Sequence, residues 1–266
     1  MNKKIDKRTV CIIITVTAIV LLGIFEVVGV GSFFGNDADA DIVNWTGMAV
    51  SRLLGSVVFL TILFYLGYRV MNPLKKPFWI SLLFCLPALM VVVNNLPIYP
   101  LSTGMATVNS PLWKISVLAL QCFSVGLFEE TCFRGVILLG FLKKRRNSVG
   151  GRLLAILFSS VVFGVVHLIN VFLGASPDAV LMQIGYSSLI GAMCSVVLMK
   201  TANIWLCVML HAVFNFCGAL VPECGSGIIW EPITITLTVI IAVATAVYMI
   251  FMFVKIKSQE LDRIYS

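Results

Sequence analysis

The sequence predicts an all-α polytopic membrane protein of about eight transmembrane helices, and three observations carry that prediction. Of its 266 residues, 60% are hydrophobic and only 12% charged, with a mean hydropathy of +1.04; a soluble domain carries about a quarter charged residues. Apolar runs long enough to span a bilayer, on the order of 20 residues each, recur from end to end without a long polar linker. Lys and Arg gather in alternate loops, as they do on the cytoplasmic side of a membrane. The chain therefore reads as one integral membrane domain over residues 1–266.

The candidate spans are 10–32, 47–69, 77–98, 113–141, 152–173, 180–199, 203–221 and 232–254. Each is dominated by Leu, Ile, Val, Phe and Ala; the fourth is long enough to be tilted or broken and holds charges well inside its length. Basic residues mark the N-terminus (Lys3, Lys4, Lys7, Arg8), the second loop (Arg69, Lys75, Lys76), the fourth (Lys143, Lys144, Arg145, Arg146, Arg152), the sixth (Lys200) and the C-terminal tail (Lys255, Lys257, Arg263). The odd-numbered loops carry acids instead: Asp37, Asp39 and Asp41, then Asp178, then Glu223 and Glu231. An even number of spans with both ends cytoplasmic fits every loop. Such a protein suits a bacterial plasma membrane. Residues 1–24 also resemble a secretory signal, with small residues at 38–40 where cleavage would fall. Retaining that run preserves the charge alternation.

The net charge of +7 does not indicate nucleic acid, because the basic residues fall in short clusters between apolar runs and form no face that tracks phosphates. The eight cysteines show no CxxC pairing, and most lie inside apolar runs, where Cys behaves as a small hydrophobe. A disulfide framework is not expected.

Ionisable side chains in mid-membrane cost a few kcal/mol each on insertion scales, so each is a functional-site hypothesis. Glu129, Glu130 and Arg134 fall in the fourth candidate span, His167 in the fifth and His211 in the seventh; these are the chain's two histidines. Glu26 lies near the end of its run, where it can reach the headgroups. At 1.5 Å per residue, Glu129 and His167 lie about 20 Å and His211 roughly 12 Å from the basic ends of their spans, all inside a ~30 Å core. Residues four apart share a helix face; Glu130 with Arg134, Phe163 with His167 and His211 with Asn215 are such pairs. Glu129 points about 100° away from Glu130, so the two neighbours should have different tasks. If Glu130 pairs with Arg134, Glu129 is left free to act with a histidine as a general base that activates water. His211 and Asn215 could then hold the oxyanion formed when water attacks an amide carbonyl.

The motifs FEETCFRG (Glu129, Glu130, Arg134), FGVVH (Phe163, His167) and HAVFN (His211, Asn215) resemble those of the CAAX protease and bacteriocin-processing family of intramembrane glutamic endopeptidases, also called the ABI family. The resemblance covers about residues 113–221 and departs at no motif position. It implies an eight-helix protease bundle open toward the cytoplasm, cleaving peptide bonds near a substrate's C-terminus or beside the membrane. Glu129 would be the water-activating base, with His167, His211 and Asn215 the oxyanion stabilisers, Glu130 and Arg134 a structural ion pair, and Phe163 cavity packing. The implied partners are a peptide or lipidated protein substrate and the bilayer, with no nucleic acid.

No cofactor is expected. Two histidines and two carboxylates could instead ligate zinc, although the HExxH spacing of the usual zinc peptidases is absent. A proton-coupled transporter would use the same buried groups as a relay, and a catalytically silent scaffold descended from the protease would look similar. A carrier should show broken helices in matching halves, whereas here the polar groups cluster in the second half. Asn94, Asn95, Gln121 and Gln183 are candidates for hydrogen bonds between helices.

Overall fold

Helix α1 (Ala40–Tyr65) begins where the Asp39 carboxylate accepts the Asp41 N–H, well ahead of the apolar run that starts at 47. The same carboxylate ties α1 to the neighbouring helix: Lys114 Nζ lies 3.0 Å from both Asp39 Oδ2 and Asp41 Oδ2, and 5.4 Å from the centre of the Trp45 ring. The computed structural model describes residues 10, 13–18, 20, 39–72 and 78–265. The expected first span, with Glu26, therefore lies mostly outside the described residues, as do Asp37, Lys75 and Lys76.

The remaining expected spans are helical. Helix α2 (Phe78–Asn94) leads through the short α3 (Ile98–Thr103) to strand β1 (Ala106–Val108), and α4 (Leu112–Glu129) follows. A π-helix then occupies Glu130–Leu138 and passes into α5 (Leu139–Leu142). Beyond it come α6 (Val149–Val166), α7 (Ile169–Phe172), α8 (Pro177–Thr201) and α9 (Ile204–Cys224), then β2 (Gly225–Gly227), α10 (Pro232–Val254) and α11 (Ser258–Tyr265). Local chemistry sets the starts: Ser148, Ser176, Asn203 and Glu231 each cap a helix through a side-chain oxygen, and Pro177 and Pro232 follow their caps in the first turn.

Two features depart from eight plain spans. The expected fifth span, 152–173, lies within the spanning stretch Val149–Phe172 but is interrupted by a turn: α6 ends at Val166, His167 is its C-cap, and its N–H turns back to the Gly164 carbonyl. The second is a small antiparallel ladder, Ala106 opposite Gly227 through Val108 opposite Gly225, at one end of the bundle. Apolar periodicity says little about strands of three residues.

Five described stretches are long and apolar enough to cross a membrane: α1, Val149–Phe172, α8, α9 and α10, with the shorter Trp79–Asn94 beside them. Their outward faces carry Leu54, Phe64, Leu83, Leu189, Val243 and Ile250, all exposed, while Glu130, Arg134 and His211 are buried within. Apolar outside and charged inside is the arrangement of a protein solvated by lipid; this is an integral membrane protein. Polar contacts join the helices. Asn94 Nδ2 donates to Thr238 Oγ1 at 2.8 Å, Asn95 Nδ2 to the Phe214 carbonyl at 2.8 Å, Gln121 Nε2 reaches Met48 Sδ at 2.9 Å and Asn170 Nδ2 donates to Gln183 Oε1 at 2.8 Å. The seven described cysteines are all buried and free.

At the end of the bundle opposite Lys114, the amphipathic α11 folds back across the basic loops. Leu261 and Ile264 are fully buried, and Arg146 meets Asp262 and Lys200 meets Glu260, at 2.8 and 3.1 Å. The Tyr265 hydroxyl donates to the Leu139 carbonyl at 2.9 Å, fixing the point where the π-helix becomes α5.

The Lys114 clasp makes a pH prediction. Its hydrogen bond to Lys114 holds the Asp39 carboxyl below its ordinary range, so the clasp is complete above the usual carboxylate pKa and is lost as pH falls through the depressed one. Lys114→Met should therefore lower the thermal midpoint in detergent at neutral pH. The gap from wild type should close in strong acid, as differential scanning at a series of pH values would record.

Candidate active site

Close helix contact comes first in building the site. Gly126 sits in α4 one turn before the glutamates, and a Cβ there would lie 3.0 Å from both Ala212 N and Val208 O of α9. With only hydrogen at this position, the backbones approach closely enough for carboxylates on α4 to reach a histidine on α9. Gly126→Val should force the helices apart and abolish the carboxylate contacts of His211. Its protein should unfold at lower temperature and lose activity by more than tenfold, an overpacking cost of about 1–3 kcal/mol.

The π-helix begins at Glu130, directly after α4 ends at Glu129. Such segments are rare and often found at functional sites. Ser159 Oγ, from α6, donates to the Phe133 carbonyl of the π-helix at 2.9 Å, and Thr131 Oγ1, within it, donates back to the Leu127 carbonyl of α4 at 2.7 Å.

His211 lies between the two glutamates. Its Nδ1 is 2.7 Å from Glu130 Oε1 and its Nε2 is 3.3 Å from Glu129 Oε2. An ionised carboxylate only accepts, so Nδ1 donates to Glu130, while Nε2 faces the Glu129 carboxylate. The neighbours differ in setting. The Glu130 side chain is fully buried, whereas that of Glu129 is 14% exposed and so open on one edge.

Glu130 Oε1 also meets Arg134 Nη1 at 3.1 Å, with both side chains fully buried. The ion pair is thus part of a chain from Arg134 through Glu130 to His211. The guanidinium carbon lies 4.3 Å from the centre of the Phe163 ring, a cation–π contact in a dry setting. Gly191 of α8 leaves room for it: a Cβ there would lie 2.5 Å from Arg134 Nη2.

Phe163 touches both histidines edge-on, with ring centres 5.1 Å from His167 and 5.7 Å from His211. His167 is half-buried, and its Nδ1 lies 2.9 Å from the Phe163 carbonyl oxygen. A carbonyl cannot donate, so Nδ1 carries a proton and donates it, which leaves Nε2 free of that bond. Asn215 is half-buried one turn beyond His211. Its side chain makes no hydrogen bond among the described residues. The structure thus joins Glu129, Glu130, Arg134 and His211 by direct contacts, brings His167 to them through Phe163, and places Asn215 beside them on α9.

Glu129 and Glu130 approach His211 at different ring nitrogens, which point away from each other, so one ion cannot bind the ring and both carboxylates. Among the described residues, Glu130, Cys194 and Cys207 bring ligand atoms within 4.8 Å of one another. The Arg134 charge on Glu130 opposes a cation there.

Arg52 is a residue that the sequence reading passes over. It lies within the second apolar run and places its guanidinium carbon 4.9 Å from the centre of the Phe128 ring, next to Glu129. A charge twelve residues into α1 was the signal that could have found it.

No curated protein and no solved structure matches the chain. Residues 111–217, which include Glu129, Glu130, Arg134, Phe163, His167, His211 and Asn215, match the family model described as type II CAAX prenyl endopeptidase Rce1-like, a match that supports the resemblance to the CAAX protease and bacteriocin-processing family.

Proposed function

We propose that the protein is an intramembrane endopeptidase that hydrolyses peptide bonds of membrane-associated or C-terminal peptide substrates with water activated by Glu129. The observation that carries this reading is the His211 ring held between a buried and a partly open carboxylate, inside the stretch that matches the Rce1-like family model. Glu129 takes a proton from water as its oxygen attacks the scissile carbonyl. With a proton on each nitrogen, His211 bridges to Glu130 and offers Nε2–H to the oxyanion, and the Asn215 amide is a second donor. His167, whose Nδ1–H is committed to the Phe163 carbonyl, suits accepting the other water hydrogen better than donating to an oxyanion. On collapse of the tetrahedral intermediate the C–N bond breaks, and the proton on Glu129 passes to the leaving amine.

Glu130 and Arg134 act through His211 by fixing the orientation of its ring. No metal enters this sequence of steps. The alternation of the basic loops supports both chain ends facing the cytoplasm, as in a bacterial plasma membrane, and the proposed substrates are CAAX-type or bacteriocin-like peptides presented there. The test is purified protein in vesicles, offered peptides with and without an isoprenoid on a cysteine near the C-terminus. Products are read by mass spectrometry and proton flux is followed in parallel. Cleavage at one bond supports the reading. Proton flux without cleavage would point to a carrier.

A further inference from the structure

Tyr186 belongs to the span α8, yet its side chain is in an unusual position for a tyrosine in a membrane protein. It lies nine residues from the start of α8, about 14 Å along the helix. Tyrosine normally sits at the membrane interface, where its hydroxyl meets water, and a buried hydroxyl normally has a partner. The Tyr186 hydroxyl has no hydrogen-bond partner among the described residues, and the side chain is 44% exposed.

Its surroundings are those of the active site. The ring centre lies 6.0 Å from that of Phe214, the residue before Asn215 on α9. One turn earlier on the same face of α8, Gln183 accepts from Asn170, three residues past His167. Tyr186 thus stands beside the segments that carry His167 and Asn215.

We infer that Tyr186 is a substrate-binding residue of this site: its hydroxyl donates to a backbone carbonyl of the bound peptide, and its ring, with Phe214, covers the adjoining apolar side chain. This rests on the endopeptidase reading. The hydroxyl supplies the hydrogen bond that a peptide lacks once it leaves water, and it does so without taking part in proton transfer.

The test compares wild type with Tyr186→Phe, which keeps the ring. The substrate is a peptide that wild type cleaves and a series of its single amide-to-ester analogues, whose carbonyls accept hydrogen bonds less well. Loss of one hydrogen bond should raise KM about tenfold or less while kcat stays nearly constant, with an unchanged thermal midpoint. One ester position should weaken wild type but leave Tyr186→Phe unaffected, a coupling that a packing role would not produce. Equal KM for both proteins, or a fall in kcat together with the thermal midpoint, would overturn the assignment. Absence of any peptide cleavage by wild type would overturn the endopeptidase reading and this assignment with it.

Discussion

Glu129→Gln is expected to cut peptide as slowly as 10²- to 10⁴-fold below wild type, the range typical for loss of a general base, with little change in KM. The substitution preserves shape and the capacity to accept a hydrogen bond, so His211 Nε2, 3.3 Å away, keeps a neighbour. What disappears is the site that takes the proton from water. A side chain partly open to its surroundings also tolerates the amide without a buried charge being stranded, so the thermal midpoint should hold. Single-turnover cleavage separates this effect from binding. Glu130→Gln provides the contrast: its first effects should be on stability and on the orientation of His211, because its carboxylate is fully buried and meets both Arg134 and His211.

The largest stability effect should come from Arg134→Met. The guanidinium is fully buried, with Glu130 and the Phe163 ring as its compensation. Removing one partner of a buried pair leaves the other charge uncompensated and costs about 3–5 kcal/mol, a fall in thermal midpoint on the order of 10 °C for a chain of this size. Adding Glu130→Gln should recover part of that loss, since the stranded carboxylate is then gone. Arg134→Lys should not rescue it, because an ammonium cannot lie flat on Phe163. Scanning calorimetry of the three variants in detergent, with the double variant alongside, measures each of these differences.

How much of this was legible in the sequence differs from one residue to the next. The apolar runs and the basic loops record the solvent of each segment, so the helices were readable from composition. The identities of Glu129, Glu130, Arg134, His167 and His211 were readable because charge in an apolar run is costly and rarely accidental. The Glu130–Arg134 contact was suggested by their four-residue spacing. That Glu130 also meets His211 was not, because periodicity on one helix cannot say what a second helix brings to it. The π-helix left no trace in hydropathy, since it changes the hydrogen-bond register and not the residue types. The α6 break at His167 is hidden for the same reason: FGVVH continues an apolar run whether or not the helix does. Gly126 and Gly191 become meaningful only when Val208, Ala212 and Arg134 are seen beside them. Tyr186 looks like an ordinary apolar position until Phe214, beside Asn215, is placed next to it.

The buried half of the site and the open half have different work. Arg134, Phe163 and Glu130 form a rigid backing that fixes His211, and their sequence constraints are those of packing and charge balance. Glu129, His167 and Asn215 remain less enclosed, the half that the proposed reaction needs open to water and a peptide. The glycines at 126 and 191 allow the two halves to meet.

The most direct test of the central claim is cleavage of a membrane-presented peptide by purified protein stripped of metal with a strong chelator, with metal content measured in the same sample. The account expects one internal bond to be cut at the same rate before and after stripping, with the new carboxylate carrying oxygen from solvent water. Activity that vanishes on stripping and returns with zinc would contradict it.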